Sequence, residues 1–235
     1  MAQFPSNSSG HGIWTLQQQR DAVRGDNWPI IIELPEPPVS GYIAWYDADS
    51  ISGTTWTDKT GNGYDASLGG TGFSVVSTTG NGATESFNAL QGSTASTVVF
   101  PSGILPSTYT LFYIARYNGT NKERILQGQT INWLSGFWDQ NTGVAYHSGW
   151  LTPQTDIHSN NWFYSTDQKS LYRSNGVTRS TGGGGATSDT IGINSGAFAS
   201  EASDFMIAEI IVYASELNST DYAAVESYLA TKYGV

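Results

Sequence analysis

The chain has 235 residues, of which 13% are charged and 13% aromatic, with 27 glycines and a formal net charge of −10 from 10 basic and 20 acidic side chains. That length suits one β-sandwich of about 200 residues plus an appendage, and the composition is that of a turn-rich all-β protein, not of a helical or disordered chain. The scarcity of Lys and Arg excludes a nucleic-acid partner, because phosphate binding needs clustered positive charge, and the lack of cysteine removes disulfides, thiol catalysis and Cys-based zinc sites.

Taken in chain order, Met1-Ala2-Gln3-Phe4-Pro5-Ser6 has neither the basic nor the apolar region of a signal peptide, and nowhere is there the run of about 18 apolar residues that a membrane helix needs. The expectation is a protein made in a cytoplasm, without membrane insertion. Residues 1–39 read as a separate arm. Thr15 and Gln18 form a capping box opening a short helix to Arg24, Gly25 stops it, and Trp28–Ile32 reads as extended. Pro35-Glu36-Pro37-Pro38 is a stiff spacer. Ile13, Trp14, Leu16, Trp28, Ile30, Ile31 and Ile32 are too apolar to sit in water alone. The arm therefore packs on its own sandwich or docks onto another protein, and these are its candidate docking residues.

Residues 40–235 carry short apolar runs separated by Gly, Asn, Ser and Thr clusters, which is the signal of an all-β sandwich. The predicted strands are Tyr42–Tyr46, Phe73–Val76, Thr97–Phe100, Thr110–Tyr117, Arg124–Gln127, Ile131–Trp138, Val144–His147, Trp162–Thr166, Ser170–Ser174 and Thr190–Asn194. Asn81-Gly82, Asn118-Gly119 and Asn175-Gly176 mark tight turns where positive φ is needed, and Gly182–Gly185 reads as a linker. Phe205–Tyr213 is β-branched and aromatic on both faces, so it is expected to be buried on both. A helix follows, with Asn218 as N-cap, Asp221 at its third position, Leu217 stapled onto Tyr222 and Gly234 as its terminator.

Several of these stretches resemble a known family. Trp45-Tyr46-Asp47-Ala48-Asp49 followed by Trp56–Ala66, the strand Tyr109–Arg116, the hairpin Ser170–Gly176 and the ending Phe205–Gly234 are similar, in that order, to motifs of the concanavalin A-like lectin/glucanase (laminin-G-like) jelly-roll family. The resemblance covers residues 41–235 and implies a concanavalin A-like jelly-roll β-sandwich with a short C-terminal helix. That architecture hosts lectins, glucanases and passive adhesive modules, so it leaves function open. In the arm, Gly12–Ala22 with Asp26-Asn27-Trp28-Pro29 is similar to the openings of marine bacteriophage virion proteins. This second resemblance implies a virion structural protein, a capsid-decoration or tail-associated one. It would be held to other virion proteins through the arm, as a homo-oligomer or in many copies.

Three constellations bear on chemistry. Glucanases of this fold place carboxylates on alternate residues of one strand, whereas Glu209 stands alone in Phe205–Tyr213 and Asp204 falls on the opposite face. No catalytic residue is assigned, and Glu209 is read as the anchor of a buried hydrogen-bond network or of a metal. Asp58, Asn62 and Asp65 set oxygen ligands around a glycine turn, which makes calcium the candidate ion; the alternative is that they cap their own turn. Trp138, Tyr146, His147 and Trp150 are candidate glycan-stacking residues, with Asn132, Asp139 and Asn141 as hydroxyl partners. Arg24-Gly25-Asp26 and the Asn-X-Ser/Thr sequons are set aside as chance strings. The leading expectation is a virion structural protein; a lectin recognising host-cell polysaccharide is the alternative, and glycoside hydrolysis ranks third.

Overall fold

The computed structural model describes residues 36–154, 158–182 and 190–235. The candidate docking residues Ile13, Trp14, Leu16, Trp28 and Ile30–Ile32, the expected capping box at Thr15 and most of Gly182–Gly185 lie outside the described residues.

Sixteen strands follow one another: β1 (Tyr42–Asp47), β2 (Ile51–Ser52), β3 (Thr55–Trp56), β4 (Ala66–Gly70), β5 (Ser74–Gly80), β6 (Ala83–Gly92), β7 (Ser96–Val99) and β8 (Thr110–Tyr117), then β9 (Leu126–Gly128), β10 (Trp133–Trp138), β11 (Asn141–His147), β12 (Phe163–Gln168), β13 (Tyr172–Ser174), β14 (Val177–Ser180), β15 (Ile191–Ile193) and β16 (Phe205–Tyr213). Among the described residues one α-helix, Ser219–Tyr233, follows the strands. The first sheet runs β14-β13-β12-β8-β16-β6-β5, with β1 also on β16; the second runs β11-β10-β9-β15-β7-β4-β3-β2. The chain is thus an all-β sandwich of two antiparallel sheets with a C-terminal helix, as its resemblance implies.

One core lies between the sheets and includes Tyr46, Trp56, Phe100, Tyr113, Trp133, Phe137 and Ile210. A second lies between the first sheet and the helix, where Trp45, Phe112, Trp162 and Ile211 meet Val225, Leu229 and Tyr233. This double burial is why Phe205–Tyr213 is apolar on both sides: β16 pairs with β8 along its whole length and on its other edge with β6 and then β1. The register shifts between Ile207 and Glu209. Ile207, Ile210 and Val212 join the inter-sheet core while Met206, Ala208, Ile211 and Tyr213 face the helix, so the alternation slips by one residue at this bulge.

The helix starts where the sequence places it. The Asn218 side chain accepts from the backbone N–H groups of Thr220 and Asp221, and Gly234 closes the helix at φ 66°. Asn81 and Gly82 (φ 51° and 87°) and Asn175 and Gly176 (φ 46° and 71°) form the expected hairpin turns. Asn118-Gly119 does not. Neither residue has positive φ, and Gly119 is small because a Cβ there would collide with Asp204.

Candidate functional site

Strand alternation and one chain reversal build an aromatic cluster on the second sheet. Phe137 and His147 point into the sandwich, so their neighbours Trp138 and Tyr146 point away from it. The Asp139-Gln140 turn joining β10 to β11 has φ of 45° and 68°, a hairpin geometry that here uses no glycine. Beyond β11 the chain doubles back. Trp150 forms an isolated antiparallel bridge with Tyr146, and Leu151 N–H donates to Ala145 O at 3.0 Å. Trp150 packs edge-on against both Trp138 and Tyr146, each at 5.1 Å between ring centroids. All three rings are half-buried, leaving part of each to solvent. Two residues beyond Trp138, Gln140 joins Asn121, Lys122 and Glu123 in lining a groove of about 580 Å³. Burial, the Asp139 carboxylate and that of Glu201 hold the Glu123 carboxyl above its ordinary pKa, although Arg124 opposes them.

The fourth candidate, His147, must be corrected. It is fully buried between the sheets, stacked on Trp133 at 5.5 Å. Its Nε2 lies 3.3 Å from Oδ2 of the equally buried Asp167, whose Oδ1 accepts from the Tyr109 hydroxyl at 2.9 Å. An odd position in β11 sends it inward, out of reach of a surface glycan. Of the suggested hydroxyl partners, Asn132 Oδ1 accepts from Arg124 and Asn141 Nδ2 donates to Asp139 O, so both serve the loops; Asp139 is exposed.

The glycine turn after β3 is held together by the residues put forward for calcium. Asp58 Oδ1 accepts from Trp45 N–H at 3.1 Å and Thr60 N–H at 3.0 Å, and its Oδ2 from Tyr64 N–H at 3.3 Å. Asp65 accepts from Asp58 N–H at 2.8 Å, and Asn62 donates to Ile43 O at 3.0 Å. These bonds fold the turn and tie it to β1, the capping role that the sequence offered as the alternative to calcium. Among the described residues no group of three or more His, Asp or Glu side chains is placed to share a metal ion.

Glu209 is the hydrogen-bond anchor expected of it. The bulge turns it to the helix side, where it is fully buried. Its Oε1 accepts from Trp45 Nε1 at 2.6 Å and the Tyr228 hydroxyl at 2.9 Å; its Oε2 accepts from the Tyr233 hydroxyl at 2.7 Å and Lys232 Nζ at 2.9 Å. A second acid stands next to it that the sequence did not reveal, because it is remote along the chain: Asp47 of β1 is the register partner of Glu209. Asp47 has its own cation, Lys59 at 2.5 Å, and Lys59 also sits 3.6 Å above the Trp45 ring. Burial first, and then the Glu209 charge, push the Tyr228 and Tyr233 phenols well above their ordinary pKa. The acids are paired, but each is matched by a lysine and enclosed.

Comparison with known proteins places the architecture. No sequence profile of a known protein family matches the chain, and no curated protein does. Among solved structures, it is similar to domain 4 of AbnA, an extracellular arabinanase from Geobacillus stearothermophilus, in complex with arabinotriose, with TM-score 0.58 and 16% identity over 80% of this chain and 98% of that one. It is also similar to Trypanosoma rangeli sialidase in complex with sialic acid, with TM-score 0.53 and 14% identity over 84% of this chain but 34% of the sialidase. A third is the binding domain of Paraclostridial Mosquitocidal Protein 1, with TM-score 0.52 and 13% identity over 81% of this chain and 52% of that one. The chain therefore spans about a third of the sialidase and about half of the toxin's binding domain. At these identities the likeness is one of fold.

Proposed function

We propose that this protein is a non-catalytic carbohydrate-binding module whose sugar-facing surface is the Trp138–Tyr146–Trp150 cluster. The observation that carries the reading is the convergence of three partly exposed rings from β10, β11 and the following reversal onto one face. Sugar rings have apolar faces that stack on such side chains, and their hydroxyls need neutral or charged partners nearby. Gln140, two residues beyond Trp138, and the Asn121, Lys122 and Glu123 that share its groove offer that chemistry. A structural neighbour solved with arabinotriose supports the ligand class. The enclosure of Glu209 and Asp47, each beside its lysine, supports binding without hydrolysis.

The test is glycan-array screening followed by titration calorimetry with the strongest oligosaccharide. Trp138→Ala and Trp150→Ala are each expected to weaken binding at least tenfold, equivalent to about 1.4 kcal/mol, with the thermal midpoint little changed. Unaltered affinity in both variants would overturn the assignment.

A second proposal concerns where the module is displayed. The sequence of the arm, with its apolar residues and its Gly12–Pro29 pattern, supports a virion structural protein docked to capsid or tail through residues 1–39. Nothing in the described residues bears on this, and none of the neighbours named above is a virion protein. Deleting residues 1–34 is expected to leave a folded, soluble sandwich that no longer co-sediments with particles; co-sedimentation of the truncated chain would remove this reading.

A further inference from the structure

A cavity of about 220 Å³, lined by none of the cluster residues, lies where the β5–β6 turn, β11, the approach to β12 and the β13–β14 turn meet. Liquid water takes roughly 30 Å³ per molecule, so the space equals about seven waters, the scale of one sugar ring. Its lining includes Thr142, Ser159, Asn161, Trp162, Ser174 and Val235, and among the described residues it holds no cationic side chain. Ser174 is only 8% exposed, yet its hydroxyl has no hydrogen-bond partner among the described residues. The Asn161 side-chain amide is likewise unengaged there. Ser159 Oγ accepts from Asn161 N–H at 3.0 Å, which leaves its own proton to donate. Asn175 Oδ1 is taken by Tyr164 N–H at 3.1 Å, which leaves its NH₂ free to donate. Trp162 and Phe163 give the apolar part of the wall. Gly143 keeps the floor open, since a Cβ there would lie 3.0 Å from Ser174 Oγ.

We propose that this cavity is a second binding site, separate from the aromatic cluster, that takes one uncharged sugar ring. The proposal shares its ligand class with the carbohydrate-binding reading and so rests on it there, but it uses none of the same residues. Neutral donors and acceptors around a ring-sized space match hydroxyl groups. A carboxylate or phosphate on the ligand would find no cation in the lining and would be desolvated unpaired. Sialic and uronic acids and phosphorylated sugars are therefore excluded. A single ring gives a Kd on the order of 1 mM.

The experiment is saturation-transfer NMR and titration of the full chain with the methyl glycosides of glucose, galactose, mannose and arabinose, with sialic acid as the charged probe. At least one neutral glycoside is expected to saturate the protein, with sialic acid at least tenfold weaker. Asn161→Ala combined with Ser174→Ala should weaken it tenfold or more. Ser159→Phe, a filling change at a half-buried loop position, should do the same without touching the core. On adding the neutral glycoside, amide chemical-shift changes should include Ser159, Asn161 and Ser174. Absence of saturation by every neutral glycoside, equal binding of sialic acid, or binding that survives both Asn161/Ser174→Ala and Ser159→Phe overturns the cavity proposal. Shift changes confined to Trp138, Tyr146 and Trp150 also overturn it, while strengthening the aromatic-cluster reading. Oligosaccharide affinity indifferent to those tryptophans overturns the cluster and leaves the cavity standing.

Discussion

The carboxylate of Glu209 collects donors from an indole, two phenols and an ammonium group, and its cross-strand neighbour Asp47 is balanced by Lys59. Replacing Glu209 with Gln leaves Lys232 without its counter-charge in a buried setting. Removal of one member of such a pair costs about 3–5 kcal/mol, so the denaturant midpoint of Glu209→Gln should fall by the corresponding amount; a change within 1 kcal/mol would mean that the network is not what ties the helix to the sheet. The phenols give a pH prediction. Burial raises the pKa of Tyr46, Tyr109, Tyr113, Tyr117 and Tyr172 above the ordinary value of 10.0. The folded chain therefore keeps these protons at a pH where the unfolded chain gives them up. The associated stability is complete below about pH 10 and declines as pH rises beyond it, by roughly 1.4 kcal/mol per unit for each such tyrosine. Phenolate absorbance should appear late and coincide with alkaline unfolding; smooth ionisation with the fold intact would contradict this. At this scale the sequence was a partial guide. A lone Glu in an apolar strand signalled a hydrogen-bond anchor, but Asp47 is close only through strand pairing, and no local pattern announces that.

Among the elements, β8 and β16 are bounded as predicted because both are continuous apolar runs with no competing pattern. The ten-residue β6 escaped detection because it mixes Thr, Glu, Ser, Asn and Gln with only Phe87 and Leu90 as large apolar residues. Its first half is mostly exposed, and its second half is buried by contacts from β16 that are remote in sequence. The extra residue at Ala208–Glu209 was equally invisible. Strict alternation puts Glu209 beside Ile207 in the inter-sheet core, and only the pairing with β8 shows the slip. The helix was legible because its start and stop are coded locally by Asn218 and Gly234. Asn218→Ala is expected to lower stability by about 1 kcal/mol, read as a shift in the thermal midpoint, whereas Asn218→Asp should restore most of it. Equal stability of both variants would show that packing against the first sheet, not the cap, sets the helix start.

At the scale of the whole molecule, the two-sheet architecture followed from the order of motifs, while the choice of surface for the candidate site did not. Four aromatic or imidazole side chains near β10 and β11 looked alike in sequence. Three converge on the outer face, and His147, one position from Tyr146, is lost to the interior. The neutral cavity had no sequence signal at all, since Ser159, Asn161, Ser174 and Asn175 are ordinary loop residues until distant turns bring them together. The position of β16 has one more consequence. The strand flanked by β8, β6 and β1 is also the last of the sandwich to leave the ribosome. Until it arrives, β8 faces a gap where its central neighbour belongs, and non-local pairings of this kind close in milliseconds to seconds. The nascent chain must therefore wait with open strand edges until β16 drops into the middle of the sheet, and in that interval it depends most on chaperones or on its own charge to avoid sticking to other copies.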